Sequence, residues 1–105
     1  MEEVSAHTER AARNEAAFRR LNENLAEALP DGSRHTAGYL CECSTADCRR
    51  IVDLTMDDYQ AVRADKMTFF LVPGHERDDV EDVVETHPHY FVVRKHEKVA
   101  KIVNP

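Results

Sequence analysis

YLCECSTADCRRIVDL (residues 39–54) contains every cysteine of this 105-residue chain: Cys41, Cys43 and Cys48. Three thiols cannot all pair as disulfides, and three ligands do not close a tetrahedral metal site. The segments on either side, AGYLC and RRIVDL, read as two short strands around a turn. In such a hairpin the C-x-C-x4-C spacing folds the three sulfurs toward one point. A fourth ligand has to come from another part of the chain.

Zinc binds thiolate and imidazole tetrahedrally, and Cys3His is one of its closed structural ligand sets. Of the six histidines, His75 is the best placed. It follows the apolar run MTFFLV (67–72), which reads as a central strand, and sits in the turn PGHE, where Pro73 and Gly74 favour a tight bend. A ligand at the end of a core strand has a rigid support. His7 belongs to a terminal segment and His35 to the loop before the first strand. His87 and His89 flank Pro88 at what reads as a helix end, and His96 reads as a turn residue. His35 and His89 are next in order after His75, and Asp47 or a water is the non-histidine alternative. The expected ligands are therefore Cys41, Cys43, Cys48 and His75, with Zn2+ as the cofactor.

The length suits one domain spanning 1–105. The apolar fraction of 42% and charged fraction of 32% are those of a soluble globular chain. No apolar run approaches a membrane span, and the polar start MEEVSAHTERAARNE is unlike a signal peptide. These features lead to the expectation of a cytoplasmic protein, in which metal binding or thiol reactivity is favoured over structural disulfides. A formal charge of −6 argues against a nucleic-acid coat. The basic residues near the C-terminus, Arg94, Lys95, Lys98 and Lys101, are interrupted by Glu97 and read as the solvated face of a terminal hairpin.

Organisation along the chain is α+β. One helix begins near residue 8, with 1–10 expected to be flexible and 11–29 to form the helix proper. Phe18, Leu21, Leu25 and Leu29 make its apolar stripe, and PDGS (30–33) ends it. Thr55 is an N-cap candidate for a short helix in TMDDYQAVRADK, with Asp58 three residues on. RDDVEDVVETHP, with Val80, Val83 and Val84 at helical spacing, reads as a second short helix. YFVVRK and KVAKIV read as a closing hairpin across His96 and Glu97. The expectation is a small, mainly antiparallel sheet with a long N-terminal helix and two short helices, stapled by one metal site.

Three thiolates place so much negative charge on a zinc ion that it acidifies water poorly, which favours a structural role over a catalytic one. Glu42 and Glu76 are the nearest general-base candidates. Glu42 reads instead as a solvent-facing strand or turn residue, and Glu76 as a charge at the N-terminus of the following helix. The N-terminal helix places Asn14, Phe18 and Asn22 in one row and Glu15, Arg19 and Glu23 in the next. One reading is an amphipathic helix with intrahelical ion pairs. A sharper one makes Arg13, Asn14, Arg19 and Asn22 a polar face for another protein, anchored by Phe18.

The segments RNEAAFRRLNENLAE, YLCECSTADC, IVDLTMDDYQAVRAD, FFLVPGHE and VEDVVETHPHYFVVRK together resemble a family of small uncharacterised proteins, mainly from actinobacteria. The likeness covers residues 11–96. Ser44 stands where a Gly often follows the second cysteine in that family, and KHEKVAKIV matches least. The resemblance implies a bacterial source and no particular activity. The expected function is a cytoplasmic zinc protein with a structural Cys3His site, acting without catalysis as a protein-interaction or regulatory module. A zinc–thiolate redox sensor is the alternative, with Arg49 and Arg50 beside Cys48, and a small metal-dependent enzyme comes third.

Overall fold

A computed structural model describes residues 4–29 and 36–105. The elements run α1 (Ala6–Ala28), β1 (Ala37–Leu40), β2 (Ile51–Leu54), α2 (Met56–Arg63), β3 (Thr68–Leu71), β4 (Glu81–Thr86), β5 (Phe91–Lys95), a 3-10 turn (Glu97–Val99) and α3 (Ala100–Val103). The fold is α+β. β1 and β2 form an antiparallel pair, and β3, β5 and β4 form an antiparallel sheet in that spatial order. No described helix is long and apolar enough to cross a membrane. The turn expected at 30–33 and His35 lie outside the described residues.

Phe69, Phe70 and Leu71 are all fully buried, so β3 is covered on both faces, as its unbroken apolar run implies. It is not the central strand, however; that place belongs to β5. On one face of β3, Phe70 meets Tyr39 and Tyr59 edge-on at 6.0 and 6.1 Å, while the two tyrosines stack at 4.6 Å. Each such side chain taken out of water contributes about 1.5–3 kcal/mol, so this cluster ties β1, α2 and β3 together.

Two segments exchange roles relative to their expected structure. Residues 81–86, expected as helix, form strand β4, with a register shift between Val83 and Glu85. Valine and threonine favour extended backbone, and that preference prevails over the helical spacing of the valines. β4 is an edge strand with only Glu81 buried, so no alternation marks it. KVAKIV, expected as a strand, turns helical because Val99 and Val103, four residues apart, both enter the core.

α1 begins at Ala6, five residues before the expected helix proper. Ser5 caps it by accepting from the Thr8 amide, and Thr8 Oγ1 donates to Asp79. Its buried stripe is Thr8, Ala11, Ala12, Glu15, Ala16, Phe18 and Asn22, rotated away from the expected leucine stripe. Leu21 and Leu25 are 53% and 39% exposed. Small residues let α1 approach β1 and α3 closely, and the polar members of the stripe find partners inside the protein.

Glu15 is one of those members. It is fully buried with Glu81 and Lys95, and Lys95 Nζ lies 2.6 Å from Glu15 Oε2 and also pairs with Glu81. Neither Glu15 oxygen has an aligned hydrogen-bond donor. Two carboxylates on one buried ammonium would leave a net negative charge in the core. Burial above all, with Glu81 adding to it against the pull of Lys95, pushes the Glu15 carboxyl up to about 9. Glu15 therefore carries a proton at neutral pH, and the trio is neutral.

An acid with a raised folded-state pKa contributes stability that is fully present below its unfolded pKa and lost as pH rises through the folded one. The window here runs from the ordinary value of 4.5 to about 9. Glu15→Gln keeps the shape and polarity of the protonated acid and removes the titration. Urea unfolding at pH 5, 7 and 9 should show wild type losing stability relative to Glu15→Gln, by at most about 1.4 kcal/mol per pH unit. Parallel curves for the two proteins would mean that Glu15 is already ionised at neutral pH.

Candidate metal centre

The β1–β2 ladder extends one step past β1, where the Cys41 amide donates to Arg50 O at 3.0 Å. The chain then makes a tight turn, with the Cys48 amide donating to Thr45 O at 3.0 Å. Asn14 Nδ2 donates to Ser44 O at 2.8 Å, and Arg49 donates to Ala46 O and Cys48 O. Local bonds thus shape the cysteine turn, and α1 holds its tip.

The fourth side chain arrives from the end of β3. Val72, Pro73, Gly74 and His75 form a turn in which the His75 amide donates to Val72 O at 3.0 Å. Gly74 has φ +93°, a left-handed conformation that proline-glycine turns of this kind require at their third position. Glu76 Oε1 accepts from the Gly74 amide at 2.8 Å and braces the turn. That bond replaces the expected role of Glu76 at a helix start, since the segment that follows it is a strand.

His75 Nδ1 lies 3.5 Å from Cys41 Sγ and 3.9 Å from Cys48 Sγ. One ligand atom from each of Cys41, Cys43, Cys48 and His75 lies within 4.8 Å of all the others, so this Cys3His group could hold a metal ion. Around a tetrahedral zinc the corresponding separations are about 3.5–3.8 Å, so a bound ion would draw the widest pair in by roughly 1 Å. Cys41 and Cys43 are buried and Cys48 is partly exposed. The Val72 amide donates to Cys41 Sγ at 3.2 Å, as suits a thiolate ligand.

The paired thiols share their protons unequally. The hydrogen bond from Cys41, aided by the Thr45 amide, His75 and Cys48, draws Cys43 down to about 5 against the effect of burial. The same shared bond, with burial, pushes Cys41 up. Cys43 is thus the readier of the two to ionise, and a metal ion bound here would replace the remaining protons.

The other described histidines are elsewhere. His87 stacks on Tyr90 at 4.4 Å and meets Glu85 at 3.0 Å, and His96 faces Asp82 at 3.3 Å. His7 and His89 are exposed, as is Asp47.

Glu42, between the first two cysteines, is not the solvent-facing residue expected. It is completely buried. Arg63 Nη2 donates to Glu42 Oε1 at 2.5 Å, the Phe70 amide to Oε1 at 3.2 Å, and Asn22 Nδ2 to Oε2 at 2.9 Å. Glu42's own amide donates to Phe70 O at 3.0 Å. Burial pushes the carboxyl up, and Arg63, Asn22 and the Phe70 amide oppose that shift. One side chain therefore joins the cysteine turn to α1, α2 and β3. The alternation of the chain explains its direction: Cys41 and Cys43 point one way and Glu42 the other.

The polar face expected to meet a partner is largely used within the chain. Asn22 and Phe18 are buried, and Asn22 also brackets Leu40 by accepting from its amide and donating to its carbonyl. Asn14 holds Ser44, and Arg19 donates to Lys66 O and Val103 O. Of the five residues only Arg13 is exposed, in an ion pair with Glu9 at 2.6 Å. Two asparagines on one helical row were the signal for buried partners.

Removing one member of a buried ion pair strands the other, at a cost of about 3–5 kcal/mol. Glu42→Ala should therefore destabilise the reduced, metal-free protein by that order in urea unfolding, with Arg63→Met milder because it strands a carboxylate that keeps two donors. A Glu42→Ala loss below about 1 kcal/mol would mean the carboxylate does not hold these elements together.

Comparison with known proteins finds no family model that matches the chain, and no curated protein or solved structure similar to it.

Proposed function

We propose that the chain is a zinc protein in which the Cys41, Cys43, Cys48 and His75 centre is structural, and that it acts through its surfaces rather than by catalysis. The convergence of four ligand atoms from two separate turns carries this reading. Thiolate-rich sites favour soft or borderline ions, and a tetrahedral set of three sulfurs and one nitrogen suits zinc. The buried Glu42 supports a structural role: it is committed to Arg63, Asn22 and Phe70 and so is not available as a general base. Zinc would tie the cysteine turn to the end of β3. A closed site of this kind yields roughly 10–16 kcal/mol of binding free energy in small peptides, comparable to a domain's whole stability.

Native mass spectrometry of protein expressed in zinc-supplemented cells tests it. One zinc per wild-type chain is expected, lost or sharply weakened in Cys43→Ser and in His75→Ala. Chelation should lower the wild-type melting temperature by at least about 10 °C. Full zinc retention in His75→Ala would open the fourth position and return the enzyme reading. A reduced wild type with no metal would end the zinc reading.

The partner surface moves to the outer side of α1. Arg10, Arg13 and Arg20 are exposed there, and Arg13 and Arg20 line a groove of about 420 Å3 with Ala17, Lys101 and Ile102. Cations around a small apolar floor suit an acidic, amphipathic segment of another protein. A glutamate-rich, leucine-containing peptide should bind with strong salt dependence, measured by fluorescence anisotropy, and Arg13→Glu/Arg20→Glu should weaken it about tenfold or more. Equal binding by the double variant would remove the groove from consideration.

A further inference from the structure

The three thiolates of the centre are not equivalent. Cys41 and Cys43 are each 1% exposed, and the Cys41 sulfur also accepts from the Val72 backbone amide. Such N–H···S bonds draw charge off sulfur and make it a poorer nucleophile, besides shielding it. Cys48 is partly exposed, and among the described residues no backbone amide donates to its sulfur. It lines an open depression of about 610 Å3 together with Ser44, Thr45, Arg50, His75 and Arg77. Arg50 there offers a cation to a small oxidant's departing oxygen, while Arg77 is paired with Asp79 and Glu76 adds a carboxylate to the same lining. The Cys43 and Cys48 sulfurs lie within 4.8 Å of each other.

Resting on the zinc reading above, we infer that Cys48 is the oxidant-sensitive corner of the centre and that peroxide converts Cys43 and Cys48 to a disulfide, releasing the metal. The Cys48 sulfur attacks one peroxide oxygen, the O–O bond breaks, and the departing hydroxide takes a solvent proton to become water. Cys48 is left as a sulfenic acid. The Cys43 thiolate attacks that sulfur and displaces its hydroxyl, which leaves as water with a second solvent proton. Two thiolates, one hydrogen peroxide and two protons become one disulfide and two waters. The two electrons pass to the peroxide oxygens, and zinc departs as Zn2+ with its charge unchanged. Two of the four ligands are then gone, and the turn is no longer tied to the end of β3. Thiol reductant and zinc reverse the change. The centre thereby reports peroxide by loosening the fold around the 43–48 turn.

The test begins with zinc-loaded protein whose metal content is established before any oxidant is added, so failure of the zinc reading shows first and separately. Hydrogen peroxide is added in about tenfold molar excess, zinc release is followed with a chromophoric chelator, and the oxidised cysteines are mapped by peptide mass spectrometry. Release should run in step with loss of two hydrogens from the chain, and the map should show Cys43 joined to Cys48. Cys48→His keeps four zinc ligands without the exposed thiolate, and should release its metal at least about tenfold more slowly. Zinc retained by wild type through the treatment, a first disulfide between Cys41 and Cys43, or equal release rates for the two loaded proteins would each overturn the inference. If Cys48→His does not load, the wild-type map alone decides between Cys43–Cys48 and the other pairings.

Discussion

The Glu42 carboxylate holds together more of this structure than any other single group. It lies at full burial between Cys41 and Cys43, and its partners come from α1, α2 and β3. A buried charge is costly unless nearly all its lone pairs are satisfied, so the three elements that supply donors must arrive together. Their arrival also sets the direction of the cysteines. Alternation along an extended segment turns Cys41 and Cys43 away from Glu42 and toward His75. The outer edge of β3 is closed by the same segment: Glu42 takes up the Phe70 amide and carbonyl, and Cys41 sulfur takes the Val72 amide. An edge that would otherwise invite pairing with another chain is thus covered.

A second buried charge group anchors the other end of α1. Glu15, Lys95 and Glu81 join the helix to β5 and β4, and Lys95 Nζ sits 4.5 Å above the Phe69 ring. Arg19 and Arg63 lie over the same ring at 4.8 and 5.7 Å. Phe69 therefore packs beneath cations, while Phe70, its neighbour in sequence, packs among tyrosines and shares Arg63, 5.3 Å from its ring. Buried polar groups add little net stability compared with apolar packing, but a wrong docking of α1 would leave Glu15 and Asn22 buried without their partners. The helix position is thus specified by polar groups as much as by apolar area.

Much of the candidate centre could be read directly from residue order. The C-x-C-x4-C spacing indicated a cluster, and Pro73-Gly74 before His75 indicated a tight turn at a strand end; Gly74 has the positive φ that turn needs. Thr55 caps α2 by accepting from the Asp58 amide. These features are local, set by a few adjacent residues. Glu42 was not legible, because a charged residue beside two cysteines looks like a surface residue until its three partners are known. Glu15 and Asn22 were misplaced for the same reason, and Leu21 and Leu25 drew the apolar stripe of α1 to the wrong side. Residues 81–86 showed helical spacing and strand composition together, and pairing with β5 decided between them.

Residue order alone establishes the α+β class, the long first helix, the cysteine hairpin and the side chains able to meet in one Cys3His group. Each follows from spacing, composition or turn chemistry within a short window. Long-range packing settled the rest: which face of α1 is buried, that β5 rather than β3 is central, that 81–86 is a strand and the C-terminal segment a helix, and that Glu42 is a hub. Those outcomes depend on whether a polar group far along the chain finds its partner. Burial of a charge is unfavourable or acceptable only in the presence of that partner, and no local window contains both.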